Sequence, residues 1–340
     1  MTFIRTCKQS TVHSLPSINL MKNSAAELYN LDLGASYQQA FGYIRQLAIL
    51  LRGAMKTKSK ESYRQVYNWQ YVHCVDFWSL VLSWSCDIHS NDMEMQPLIY
   101  PLVQIAIGSI RLVPTSRYFP LRFHMLRSLL RLSQRTGVYI PIANHLLEVF
   151  SSSEFKRQPK KSTLKPIDFE SYIRVPNDYV RTKVYVEELA EELVYLLAES
   201  YLVLGKSISF PESIVPSISI LKKSIKKLTS GPKVINQLKS LIERLEGQAK
   251  FIESQRSKVE FTPGERGEID RFLEDLNVEN TTLGTFVKIL RKGREQKRKE
   301  SVEIEDEDLS EDEGEGEGED EDEDEIEGEA EEDEEEEMDE

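Results

Sequence analysis

The chain has 340 residues, 40% of them apolar and 30% charged, and a formal net charge of −15. The average conceals a division: residues 303–340 hold 28 of the 58 carboxylates and none of the 43 lysines and arginines, so the first 302 residues carry a net +13. Three cysteines without a CxxC pair speak against a disulfide framework and a zinc ribbon, no window of about 18 apolar residues suggests a membrane span, and the start lacks the apolar run of a secretory signal.

Residues 1–34 are weakly patterned and predict a poorly structured start. From Ala35 to Met55, Tyr37, Ala40, Phe41, Ile44, Leu47, Ala48 and Leu51 recur at three- and four-residue spacing, which predicts an amphipathic helix. A second helix, rich in aromatics, is expected from Tyr63 to Ser85. Pro97 and Pro101 open a third, reaching about Leu112, since proline is tolerated in the first helical turn. Pro120 opens a fourth that ends at Gly137, a residue suited to the left-handed position after a helix. Pro141 opens a short fifth to Phe150.

The basic polar stretch 151–165, SSSEFKRQPKKSTLK, reads as a linker dividing the helical core into a first part, 35–150, and a second part, 166–300. Beyond it a long helix is expected from Val175 or Pro176 to Leu204. Further helices follow from Pro211 and from Pro232, with shorter ones over 265–276 and 282–292. The tract 301–340 has almost nothing to bury and its charges repel one another, so disorder is expected there. About nine or ten helices with short polar turns, and no strand pairs, predict an all-α chain of stacked helical hairpins, a HEAT-like α-solenoid.

Catalytic signatures are missing: no phosphate loop, no dinucleotide fingerprint and no HExxH. His73 and Cys74 are adjacent, which sets them about 100° apart on a helix and speaks against a nucleophile–base pair. No cofactor, metal or small-molecule substrate is expected. On the helix beginning near Pro120, Arg127 and Arg131 lie opposite the apolar arc, where a solvated basic face is expected. Arg122 falls inside the arc, where an arginine must snorkel, pair internally or anchor a partner's acidic group. The segment 288–299, KILRKGREQKRK, holds seven basic residues in twelve. Lys288, Arg291, Lys292, Arg294, Lys297, Arg298 and Lys299 are therefore candidates for nuclear import or RNA contact, the bland alternative being a helix end facing the acidic tract. Ser310, followed by Glu311, Asp312 and Glu313, has the form of an acid-directed phosphorylation site.

The stretch Tyr100 to Phe150, with RYFPLRFH at Arg117 to His124 as its most distinctive part, resembles the nucleolar complex protein two family. So do 67–83, YNWQYVHCVDFWSLVLS, and 165–212. The resemblance implies an all-helical body and a charged tail. It implies a non-catalytic factor of the nucleolus and nucleoplasm that acts in large ribosomal subunit assembly and transport. The implied partners are related nucleolar complex proteins, pre-60S particles and rRNA. Animal members add a second reading, in which the acidic tract holds histones and the protein regulates chromatin. Arg117, Tyr118, Phe119 and Arg122 become the candidate partner-binding residues. The family's long region before this core is expected to be missing here.

Overall fold

The computed structural model describes residues 7–11, 13–88, 94–229, 231–260, 262 and 264–312, with 266, 270 and 301–312 described in backbone only. It is an all-α array. In chain order the helices are α1 Ser14–Tyr29, α2 Leu33–Thr57, α3 Lys60–Arg64, α4 Trp69–Ser85, α5 Ile99–Leu112, α6 Phe119–Thr136, α7 Ile142–Val149, α8 Ser153–Lys156, α9 Lys183–Val203, α10 Phe210–Lys227, α11 Pro232–Arg256, α12 Arg266–Arg271 and α13 Thr282–Asp312. No strand is found among the described residues; one isolated bridge joins Lys160 and Thr182.

Local chemistry sets most boundaries. Asp32, Asn68 and Thr182 cap α2, α4 and α9 by accepting a backbone N–H from three residues on, which satisfies a donor the helix cannot. Gly137 ends α6 at φ 68°, a conformation that costs glycine nothing. Proline occupies the first turn of α6, α10 and α11.

The hairpin-array expectation acquires a direction from paired contacts. Trp69 meets His124, Ser79 donates to the Ser128 carbonyl, and the Ile88 amide donates to the Arg135 carbonyl. The contacts advance together along both chains, so α4 and α6 are parallel. Likewise Tyr185 reaches Ser116 and Glu192 meets Arg127, so α9 runs parallel to α6. α5 returns between α2, α4 and α6. The Tyr67 hydroxyl donates to the Ser109 carbonyl and accepts from the Val113 amide, fixing where α5 ends. Alternate helices stacked in parallel with return helices between them are the geometry of a helical-hairpin solenoid.

Three expectations need correction. The start is not unstructured: α1 buries Leu15, Ile18, Lys22 and Ala26. It is fastened where Lys22 ion-pairs with Asp76 of α4. The stretch 151–165 does not separate two cores. Phe155 of α8 is fully buried against Phe150, with ring centroids 5.1 Å apart, and one apolar cluster runs from Ala26 to Val287. The acidic tract does not begin with disorder, because the backbone of α13 continues through Asp312; glutamate is a good helix former, and adding a residue to an existing helix is far easier than starting one. The expectation of disorder over 313–340 falls outside the described residues.

Candidate functional site

The charged groups of the second half converge on one seam. α9 presents Glu188, Glu191, Glu192 and Glu199 along one side, and α13 presents Arg291, Arg294 and Lys297. Arg291 forks onto Glu199 through Nε and Nη2 at 2.6 and 2.8 Å. Arg294 bonds Glu192, reaches Glu170 at 3.0 Å and lies over the Tyr195 ring, 4.8 Å from its centroid. Lys297 meets Glu191 at 2.6 Å and Glu188 at 3.2 Å. As α13 advances the partners on α9 recede, so the two helices are antiparallel.

Glu192 is the pivot. One of its oxygens takes Arg127 of α6 at 2.6 Å, and the other takes Arg294. Three helices therefore meet on one buried carboxylate. Burial pushes the Glu192 carboxyl upward, but Arg127 and Arg294 outweigh it and hold the group below the usual range. Glu170 behaves in the same way: burial opposes ionisation, yet Arg127 and Arg294 depress it to about 2. The open cleft beside the seam, ≈ 330 Å³, is lined by Arg127, Arg131, Glu170, Tyr195, Glu199 and Arg294 among others. It is polar and two-signed, unlike the apolar hollows that take small molecules.

The seam changes the reading of the basic segment. Arg291, Arg294 and Lys297 are occupied within the chain, so nuclear import or RNA contact through them would compete with these ion pairs. Lys288 pairs with Glu279 at 3.3 Å. Arg298 lies 3.9 Å from Glu170, and Lys299 pairs along the helix with Glu295 at 3.5 Å. Lys292 is exposed and unpaired among the described residues. Spacings of three and four place 291, 294 and 298 on one face, and that periodicity was the available signal for a docked helix.

The RYFPLRFH corner is also inward-looking. Arg117 Nε donates to the Val175 carbonyl at 3.3 Å, and its own carbonyl accepts from the Val175 amide at 2.8 Å. Tyr118 packs edge-on against Tyr67, centroids 4.6 Å apart, and Phe119 is buried. Arg122 is 5% exposed. It donates to the His145 carbonyl at 3.1 Å, approaches Glu148 at 3.6 Å and lies over Phe119. The partner-anchoring expectation for Phe119 and Arg122 is thus corrected: both belong to the interior. Arg117 and Tyr118 are half-buried in the same corner.

Arg127 and Arg131 do not form a solvated basic face. Arg131 and Lys22 both bond Asp76, which also accepts from Ser128 Oγ at 2.8 Å. Burial favours the neutral acid, but the two cations hold Asp76 well below the usual carboxylate range. His73 bonds Ser10 Oγ at 2.6 Å, and burial lowers it to about 4. The neighbouring Cys74 thiol is pushed by burial to about 11, far from a reactive thiolate. No cluster of metal-ligating side chains occurs among the described residues, and no described helix is long and apolar enough to cross a membrane. Ser310 lies on the backbone of α13, and its side chain is outside the described set.

The sequence profile of the Noc2p family matches residues 1–290. The chain belongs to that family. It is 41% identical over 293 residues to an uncharacterized NOC2 family protein of Schizosaccharomyces pombe, covering 85% of this chain and 41% of that protein. It is 38% identical over 227 residues to Nucleolar complex protein 2 of Drosophila melanogaster, covering 67% and 29%. It is 33% identical over 302 residues to Nucleolar complex-associated protein 2 of Arabidopsis thaliana, covering 88% and 38%. The chain thus spans less than half the length of these relatives. The Noc2p match takes in the RYFPLRFH corner and the carboxylates of α9. It stops one residue before Arg291, so the seam's three cations lie beyond it.

Proposed function

We propose that this chain is a non-catalytic helical scaffold acting in the nucleolus and nucleoplasm in the assembly and transport of large ribosomal subunit precursors, in complex with related nucleolar complex proteins. The Noc2p match over residues 1–290, with relatives named as nucleolar complex proteins, carries the reading. The geometry agrees with it. The buried Glu192, Glu199 and Arg122 are occupied in ion pairs and hydrogen bonds that hold helices together, an arrangement suited to a rigid surface.

Leu28 on α1, Leu31 in the turn that follows, and Phe41 and Ile49 on α2 stand exposed. Exposed apolar side chains gathered at one end of an array mark a protein-docking face. In this reading that end meets a related nucleolar complex protein. Lys292 and Lys226, both exposed, supply cations for rRNA phosphates, which bind any surface that releases enough counterions.

Sedimentation of nuclear extract tests the reading. Co-migration with pre-60S particles, abolished by RNase, supports it, and Leu31→Asp with Phe41→Asp should lose the protein partner while the fold persists. Salt-sensitive co-purification with nucleosomes, without pre-60S material, would replace it with histone binding by the acidic tract.

A further inference from the structure

A second concave surface lies between α8 and α10, away from the charged seam. Ile220 and Leu228 supply its open apolar surface over the buried Phe150 and Phe155, Ser151 and Ser224 line it beside them, and its volume is ≈ 270 Å³. Its rim is cationic. Lys156 comes from α8, while Lys223 and Lys227 lie one turn apart on α10. These three side chains have no ion-pair partner among the described residues, in contrast to Lys222, which pairs with Glu246 at 2.7 Å. An apolar floor under an unneutralised rim calls for an occupant with one aliphatic side chain set among carboxylates.

The chain contains such a segment. Residues 319–329, EDEDEDEIEGE, place Ile326 after seven consecutive acids and before Glu327 and Glu329. We propose that this groove seats the chain's own acidic tract, with Ile326 on the apolar floor and flanking carboxylates against Lys156, Lys223 and Lys227.

The geometry allows it. α13 runs antiparallel to α9, so its C-terminal end emerges beside the start of α9. The groove borders that same end: Glu154 of α8 accepts the Arg181 amide at 3.0 Å, and Lys160 pairs with Thr182 just before α9. From Lys297, which lies on Glu188, α13 rises about 22 Å to Asp312 at 1.5 Å per residue. The 14 residues from Asp312 to Ile326 then reach about 46 Å when extended, several helix diameters. Nucleic acid fits less well. Phe150 and Phe155 are 3% and 1% exposed, so neither offers an open ring for base stacking, and a phosphate backbone makes no use of an apolar floor.

The test uses the full chain, zero-length amine–carboxyl cross-linking and mass spectrometry, with isotopically light and heavy copies mixed. The expected result is intramolecular linkage of Lys156, Lys223 and Lys227 to carboxylates within 319–329, enriched several-fold over the other exposed lysines. Ile326→Asp should abolish the enrichment although it adds negative charge. Linkage that follows lysine exposure alone, linkage only between light and heavy copies, or an unchanged pattern in Ile326→Asp would overturn the proposal. So would equal protection of the three lysines by an added rRNA fragment in wild type and Ile326→Asp, which would assign the groove to nucleic acid.

Discussion

Arg294 of α13 lies on Glu192 of α9, 102 positions earlier in the chain, and shares that carboxylate with Arg127 of α6. The carboxylate is almost wholly buried, at 4% side-chain exposure. Removing one arginine leaves it with a single cation. Arg294→Ala should therefore destabilise the fold by about 3 kcal/mol, the scale of breaking a buried pair. Lys292→Ala, two residues away and facing solvent, should change stability by less than about 0.5 kcal/mol. Urea melts of the two variants measure the contrast, and equal midpoints would mean the seam contributes nothing.

Two glycines of α13 make opposite predictions. A Cβ on Gly284 would sit 2.2 Å from the Val278 carbonyl oxygen and 2.5 Å from the Glu279 Cα. Both atoms are backbone, so the 278–280 turn must move. Glu279 would then leave Lys288 and Arg291. Gly284→Ala should cost about 2 kcal/mol or more, as overpacking does. Gly293 has open space around its Cβ position, so Gly293→Ala should raise stability by up to about 1 kcal/mol through helix propensity. Hydrogen exchange along α13 should report loss of protection in the first variant and none in the second.

Acid should weaken the fold in two windows. His73 and His124 are lowered by burial from 6.5 to about 4. As pH falls below 6.5 the unfolded chain binds protons that the folded chain refuses, so stability drops between about pH 6.5 and 4. Glu170, depressed from 4.5 to about 2, stabilises the fold above 4.5, and that contribution is lost as pH falls toward 2. Urea midpoints measured against pH should lose slope in the upper window for His124→Asn and in the lower window for Glu170→Gln. An unchanged profile in either variant would exclude that group as the source.

Arg122 makes a smaller prediction. Its carboxylate neighbour Glu148 is 51% exposed on its side chain, so losing the arginine strands no buried charge. The loss is a charged hydrogen bond to the His145 carbonyl and the packing on Phe119. Arg122→Ala should cost about 1.5–3 kcal/mol, with partner binding retained by the folded fraction. Binding lost at constant melting temperature would instead place Arg122 at an interface.

Helix order was readable because its signals are local. The prolines in the first turns of α6, α10 and α11, the cap residues, and the apolar spacing of α2 and α6 each act within a few residues. What stayed hidden depends on distant partners. In α1 a lysine sits in the buried line of Leu15, Ile18 and Ala26, which breaks the apolar pattern, and only Asp76, 54 positions on, explains it. α9 begins at Lys183 and not near Pro176, because Thr182 caps it and the backbone of Ile173 and Val175 is hydrogen-bonded to Leu121 and Arg117. The basic segment looked like an address because composition records charge but not its partners, and those of Arg291, Arg294 and Lys297 on the seam lie 92–124 positions away.

The antiparallel placement of α13 on α9 also fixes how the array responds to a pull. The acidic tract leaves from the C-terminal end of α13, while the other end is held by the turn at 278–280. A force on the tract directed away from α9 therefore does not shear the seam all at once. It peels the helix like a zip fastener, opening Lys297 first, then Arg294, then Arg291. Anything that grips the tract gains leverage over α13, and the array can release that helix in steps while the earlier helices stay packed.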